Sequence, residues 1–150
     1  MTEIMPARAR TLRFPSDLAD FEGSWRLDRD IADGAGASTA RFSGRAVFAW
    51  QDGDLAYEET GTLTLAGQVP VAASRGYLWT RRAEGGIAVR FADGRAFHEF
   101  DLRDGASATH SCPPDLYHVA YEFGHWPDWT ARWRVTGPRK DYTMVSRYGR

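Results

Sequence analysis

The chain has 150 residues, a formal net charge of −1, and 43% hydrophobic and 13% aromatic residues. That length and apolar content fit one domain with a sizeable core. Near-neutral charge gives no surplus of basic groups to neutralise phosphates, so no nucleic-acid partner is expected. No apolar run approaches the roughly 20 residues of a membrane helix, so no membrane partner is expected either.

The opening segment MTEIMPARARTLRFPSD lacks the apolar stretch of a secretory leader, and Cys112, the one cysteine, cannot form an internal disulfide. The cytoplasm is therefore the expected compartment. Residues 1–15, with Arg8, Arg10 and Arg13, read as an N-terminal arm, and 16–150 as a single domain. Ser16 is placed to cap a short helix whose apolar side holds Leu18 and Phe21, and Gly23 to stop it.

After Gly23 the period changes to two. Trp25, Leu27 and Ile31 alternate with Arg26, Asp28 and Asp30, and Phe42, Ala46, Phe48 and Trp50 share the face of a second run. Gln51-Asp52-Gly53-Asp54 reads as a hairpin turn. Leu55 to Leu65 follows, broken at Gly61, then Val69 to Arg82, with Tyr77 and Trp79 on one face. Glu84-Gly85-Gly86, Asp93-Gly94 and Arg103-Asp104-Gly105 punctuate the strands around Ile87–Phe91 and Phe97–Leu102. Thr109 to Cys112 ends at Pro113-Pro114. Then come Tyr117 to Phe123, Trp129 to Val135, a break at Gly137-Pro138, and Tyr142 to Tyr148.

This predicts an all-β fold: a closed or nearly closed up-and-down antiparallel barrel of about 8–10 strands. Closure removes unpaired edges. A two-sheet sandwich is the alternative. Gly23-Ser24-Trp25 at the first strand and Arg147 in the last resemble the calycin pattern of lipocalins and fatty-acid-binding proteins. That resemblance implies a calycin-like barrel in which Trp25 packs under Arg147 at the base. A second resemblance runs over roughly residues 20 to 148. It is carried by Gly23 and Trp25, Tyr57-Glu58-x-x-Gly61, Phe91-x-Asp93-Gly94-Arg95-x-Phe97-His98, His110-x-Cys112-x-x-Asp115-x-Tyr117, and Trp133-x-Val135-x-Gly137-Pro138-Arg139-Lys140-Asp141-Tyr142. These segments are similar to an uncharacterised bacterial and fungal family of unknown function, which implies no activity.

Site chemistry is concentrated in one window. All four histidines, His98, His110, His118 and His125, fall within residues 98–125, together with Cys112, Asp115, Tyr117 and Tyr121. Period two sets His98 with Phe100 and Leu102, opposite Phe97, Glu99 and Asp101. His98 is thus an inward core histidine, a ligand contact or a proton carrier near neutral pH. His110 and Cys112 share a strand face, and the bend at Pro113-Pro114 would turn Asp115 toward His110. Tyr117 would donate its hydroxyl to that network.

His98, His110, Cys112 and Asp115 are types that zinc accepts, but their spacing is no standard signature, so no metal is assigned. No cofactor is expected; a heme of the nitrobindin type needs a proximal His near the chain end, and none follows His125. A Cys112 nucleophile is disfavoured because the two following prolines offer no N–H donors for an oxyanion.

Gly137 to Tyr142 holds the single Lys, Lys140, beside Arg139 and Tyr142. Arg139 as a fork and Lys140 as a point charge would hold a carboxylate or phosphate at the barrel mouth, unless Asp141 neutralises them. Of Glu58 and Glu59, one would point inward to pair with a basic residue, and parity does not choose between them. His118 is expected to be exposed and His125 to lie in a loop.

Three functions follow. The first is binding of a small, partly apolar molecule in a cavity walled by Phe42, Phe48, Tyr57, Trp79, Phe100, Tyr121 and Trp133, with His98, His110, Cys112, Asp115, Tyr117, Arg139, Lys140 and Tyr142 as ligand contacts. The second is an enzyme of hydrolase, isomerase or cyclase type. It would use His98 or His110 as general acid or base, oriented by Asp115. The third is an interaction module with a filled barrel, acting through its surface or as a homodimer.

Overall fold

The structure is a computed structural model that describes residues 14–103 and 105–150. The basic arm with Arg8, Arg10 and Arg13 lies outside the described residues. A short 3-10 turn, Leu18–Phe21, precedes ten strands: β1 (Gly23–Asp33), β2 (Ser38–Gln51), β3 (Asp54–Leu65), β4 (Val71–Arg81), β5 (Ile87–Phe91), β6 (Ala96–Phe100), β7 (Ser107–Cys112), β8 (Asp115–His125), β9 (Asp128–Thr136) and β10 (Asp141–Gly149). No helix among these residues is long and apolar enough to cross a membrane.

Alternation dictates which faces meet. Trp25, Leu27 and Arg29 on β1, Ala46 and Phe48 on β2, and Leu55, Tyr57 and Glu59 on β3 are buried, while their neighbours reach toward solvent. Every neighbouring pair is antiparallel, in the order β6-β5-β4-β3-β2-β1-β10-β9-β8-β7. Strand β1 pairs with β10, setting Leu27 opposite Tyr148, so the first and last strands are joined. The sheet curls until β6 and β7 lie side by side, without a hydrogen-bonded ladder between them. The result is a nearly closed all-β barrel with one seam.

Several local expectations are corrected. Asp17, not Ser16, caps the turn: its carboxylate accepts from the Ala19 N–H, and Asp20 accepts reciprocally from the Asp17 N–H at 3.1 Å. Gly23 opens β1 instead of stopping the turn. Strand β3 runs unbroken through Gly61, which sits directly opposite Gly44. A Cβ on Gly44 would come within 2.0 Å of the Thr60 carbonyl oxygen, and one on Gly61 within 2.3 Å of the Ser43 carbonyl oxygen. These glycines let two backbones approach where any side chain would separate them. His125 ends β8 instead of occupying a loop.

The barrel base is an aromatic plug. The Phe21 ring lies 5.2–5.9 Å from those of Phe48, Trp79, Phe123, Trp126 and Trp129. Trp25 packs into it and donates its indole N–H to the Phe21 carbonyl at 2.8 Å. The cation over Trp25 is Arg150, whose guanidinium carbon lies 3.9 Å from the ring, and not Arg147. Ser146 and Tyr148 point inward, so Arg147 between them points out and pairs with Asp30 at 2.7 Å. Arg150, just past the strand, folds across the base and donates to the carbonyls of Glu22 and Asp20.

Candidate ligand cavity

Further along the same strands the aromatic filling stops and a cavity of about 270 Å³ opens. One wall is a buried polar network built from β1, β3 and β10. Arg29, two residues past Leu27 on the inward face, donates from both terminal nitrogens to the two Glu59 oxygens at 2.8 Å and from Nε to Ser146 at 2.7 Å. Tyr57 donates to Glu59 at 2.6 Å, and its oxygen lies 2.8 Å from the Tyr148 hydroxyl. Glu59 is therefore the inward carboxylate of the pair, at 2% exposure, while Glu58 is exposed.

Burial opposes ionisation of both members of the ion pair. The mutual hydrogen bonds and charges still hold Glu59 below the usual carboxylate range and Arg29 above its ordinary value. Burial pushes the Tyr57 hydroxyl well above its ordinary value and that of Tyr148 up to about 12, so both remain donors near neutrality.

The facing wall comes from β6, β8 and β9. His98 Nε2 lies 2.8 Å from the Tyr121 hydroxyl, with both side chains buried. Burial first, and then the neighbouring His110, lower the His98 pKa to about 3, so the ring is neutral at physiological pH. With Tyr121 donating to Nε2, a single group of the pair, Nδ1–H, lacks a partner. The opposite arrangement strands both the Tyr121 hydrogen and the Nδ1 lone pair. Among the described residues, two buried side-chain polar atoms have no protein partner, His98 Nδ1 and Trp129 Nε1, and both belong to side chains lining the cavity.

Phe97 also lines the cavity, against the strict alternation expected of His98 and Phe97. The register between β5 and β6 shifts, pairing Val89 with His98 but Arg90 with Ala96, and the extra residue is Phe97. A bulge of this kind re-aims one side chain without breaking the sheet. The Phe97 ring contacts both His98, at 4.6 Å between centroids, and His110, at 5.2 Å. It stacks nearly parallel on Phe91 and on Trp133, each at 17°.

Toward the mouth the cavity is lined by His110, Cys112, Tyr117 and Tyr142, together with Arg75 and Met144. Asp115 does not turn to His110. Its Oδ2 lies 3.0 Å from Lys140 Nζ, and its other oxygen occupies the space that a Cβ on Gly137 would fill. Lys140 also donates to the Tyr117 hydroxyl at 2.8 Å, which makes Tyr117 an acceptor there, and both contacts hold the ammonium pKa above its ordinary value. Asp115 and Lys140 flank the cavity without lining it, and Arg139 is exposed in the turn before β10. His118 is exposed, and Thr109 holds it at 3.0 Å. Of the aromatics expected in the wall, Tyr57, Trp79, Tyr121 and Trp133 line the cavity, whereas Phe42, Phe48 and Phe100 are packed in the core around it. No group of three or more His, Cys, Asp or Glu side chains among the described residues is arranged to hold a metal ion.

Residues 21–150 match a family of unknown function, DUF6314. The chain belongs to this family. The kinship with a family of unknown function read from the segments around Tyr57, Phe91, His110 and Trp133 therefore holds. Curated proteins yield no sequence match. Among solved structures, the DUF6314 barrel is similar to the S-type phycobiliprotein lyase CPES from Guillardia theta, with a TM-score of 0.62, 10% identity and 89% of each chain covered. At that identity the likeness concerns the fold alone, a calycin-like barrel.

Arg29 and Ser146 went unnoticed in the sequence. The signal for Arg29 was present: Trp25, Leu27, Arg29 and Ile31 share one parity, and a charge on a core face calls for an inward partner. Arg75 shares parity with Tyr77 and Trp79 in the same way.

Proposed function

We propose that this DUF6314 protein binds a small, partly apolar molecule inside its barrel. The reading is carried by a cavity whose lining includes His98 and Trp129, the two side chains whose buried polar atoms, Nδ1 and Nε1, lack a protein partner among the described residues. Buried polar groups in folded proteins are ordinarily paired, and orphans gathered at one cavity suit a ligand with acceptor atoms. Near-parallel rings and few polar groups match the usual make-up of small-molecule sites. The fold likeness to a phycobiliprotein lyase agrees with this reading.

The chemistry supports an acid–base enzyme less well. His98, with its pKa lowered to about 3, is a poor proton donor at neutral pH, and Asp115 is engaged by Lys140 instead of orienting an imidazole. A completely filled barrel is at odds with a cavity of about 270 Å³. The test is native mass spectrometry of gently purified protein, alone and with excess 2-naphthol, a flat neutral probe. One bound molecule per chain is expected in at least one sample; bare protein in both would overturn the reading.

A further inference from the structure

Charge inside the cavity is unbalanced. Besides the histidines, the tyrosines and Cys112, its lining holds three side chains that are charged near neutral pH: Arg29 and Arg75 against Glu59. Two cations and one anion leave one positive charge in excess. Arg29 does not supply the free charge, because Nε and both terminal nitrogens are used by Ser146 and Glu59. The Glu59 charge is likewise engaged, since both oxygens accept from Arg29 and one also accepts from Tyr57, which fills three of about four acceptor positions.

Arg75 differs. Its side chain is 50% exposed, its Nε stands 3.9 Å from a Glu59 oxygen, and it makes one long hydrogen bond, 3.5 Å, to the Tyr77 hydroxyl. Most of the five guanidinium donors are thus uncommitted. The Arg75–Tyr77–Trp79 parity of β4 places the group on the cavity face at the mouth. Lys140 does not compete, because its ammonium is held by Tyr117 and Asp115 outside the lining. Beside Arg75 the lining is a stack of rings that a further flat ring can extend: the Tyr77 ring lies 5.7 Å from Phe97 at 27°, and Phe97 continues the stack to Phe91 and Trp133. At about 270 Å³ the space falls just below the roughly 300–1,000 Å³ of drug-sized sites.

Resting on the ligand-binding reading above, we infer that the ligand is a small, flat aromatic monoanion, its rings against the Tyr77–Phe97–Trp133 wall and its carboxylate on Arg75 at the mouth. A planar guanidinium suits a carboxylate through two parallel hydrogen bonds, and an aromatic acid neutralises the single surplus charge. A dianion would overshoot it, and a cation would add to it.

The test is calorimetric titration of 2-naphthoate and of its neutral isostere 2-naphthamide into wild type, Arg75→Gln and Arg75→Lys. Wild type is expected to prefer the acid by about ten- to a hundredfold, the worth of a charge-assisted hydrogen bond. Arg75→Gln should remove that preference by weakening the acid alone, and Arg75→Lys should restore part of it. Amide binding, unchanged by Arg75→Gln, shows that the variant folds and that the cavity is intact. Equal binding of acid and amide to wild type would overturn the anion inference while leaving the cavity reading standing. So would an acid preference that survives Arg75→Gln. If neither compound binds wild type, both readings fall.

Discussion

Arg29 and Glu59, thirty residues apart in the chain, meet inside the barrel as a two-pronged ion pair with both N–O distances at 2.8 Å. The pair ties β1 to β3, and Ser146 extends it to β10, so three strands around the cavity are locked by one guanidinium. Removing one partner of a buried pair leaves the other charge uncompensated, at a cost of about 3–5 kcal/mol. Glu59→Gln and Arg29→Met should each lower stability by that order in urea unfolding. The double variant should cost less than the sum, since no charge is then stranded.

Acid should weaken the fold through His98 before it reaches Glu59. In the unfolded chain His98 binds a proton as pH falls through 6.5, whereas in the fold it stays neutral down to about 3. Between those values the unfolded state holds more protons, so this group lowers stability by about 1.4 kcal/mol for each unit of acidification. Above 6.5 the penalty is absent. Glu59, with its folded pKa depressed, contributes stability that is present above 4.5 and lost as pH falls below that value toward its folded pKa. The His98→Gln variant, which keeps a partner for Tyr121 but does not titrate, should flatten the dependence between about pH 6 and about pH 4. Urea midpoints across that interval check it; an unchanged slope would contradict a buried neutral His98.

The base of the barrel gives a contrast between two arginines. Arg150 covers Trp25 and donates to two carbonyls, while Arg147 makes an exposed pair with Asp30. Arg150→Ala should cost about 1–2 kcal/mol, from the lost cation–π contact and the carbonyls left without donors. Arg147→Ala should stay within about 0.5 kcal/mol of wild type, as exposed pairs usually do. Thermal melts of the two variants side by side decide the matter.

How far the sequence could be read depended on the range of each interaction. Strand positions and the meander followed from period two and from turns such as Asp52-Gly53, because both are local. The same parity rule hid Phe97, since a bulge set by pairing with β5 turns it to the side of His98. Asp115 was misdirected for a related reason: the bend at Pro113-Pro114 is local, whereas the position of Lys140 depends on the pairing of β8 with β9 and of β9 with β10. The resemblance points to Arg147 as the basic residue of the last strand, but parity turns Arg147 outward, and Arg150, just past the strand, covers Trp25. Arg29 shares the inward parity of Trp25 and Leu27, but its charge gives it the same local signature as the outward Arg26, Asp28 and Asp30.

Cys112 offers a reporter at the mouth. It is exposed and lines the cavity, with His110 on the same strand face. A maleimide should label it readily in the free protein, and saturating 2-naphthoate should slow labelling several-fold by covering the mouth. Labelling that is indifferent to the compound would mean that it binds elsewhere.

The most direct test of the central claim uses Ala131, a buried small residue that lines the cavity. Titrating 2-naphthol calorimetrically into wild type and into Ala131→Trp, whose indole would occupy the space, asks whether the barrel interior is the binding site. We predict one-to-one binding to wild type and its loss in a folded Ala131→Trp. No binding to wild type, or equal binding to both proteins, would contradict the account.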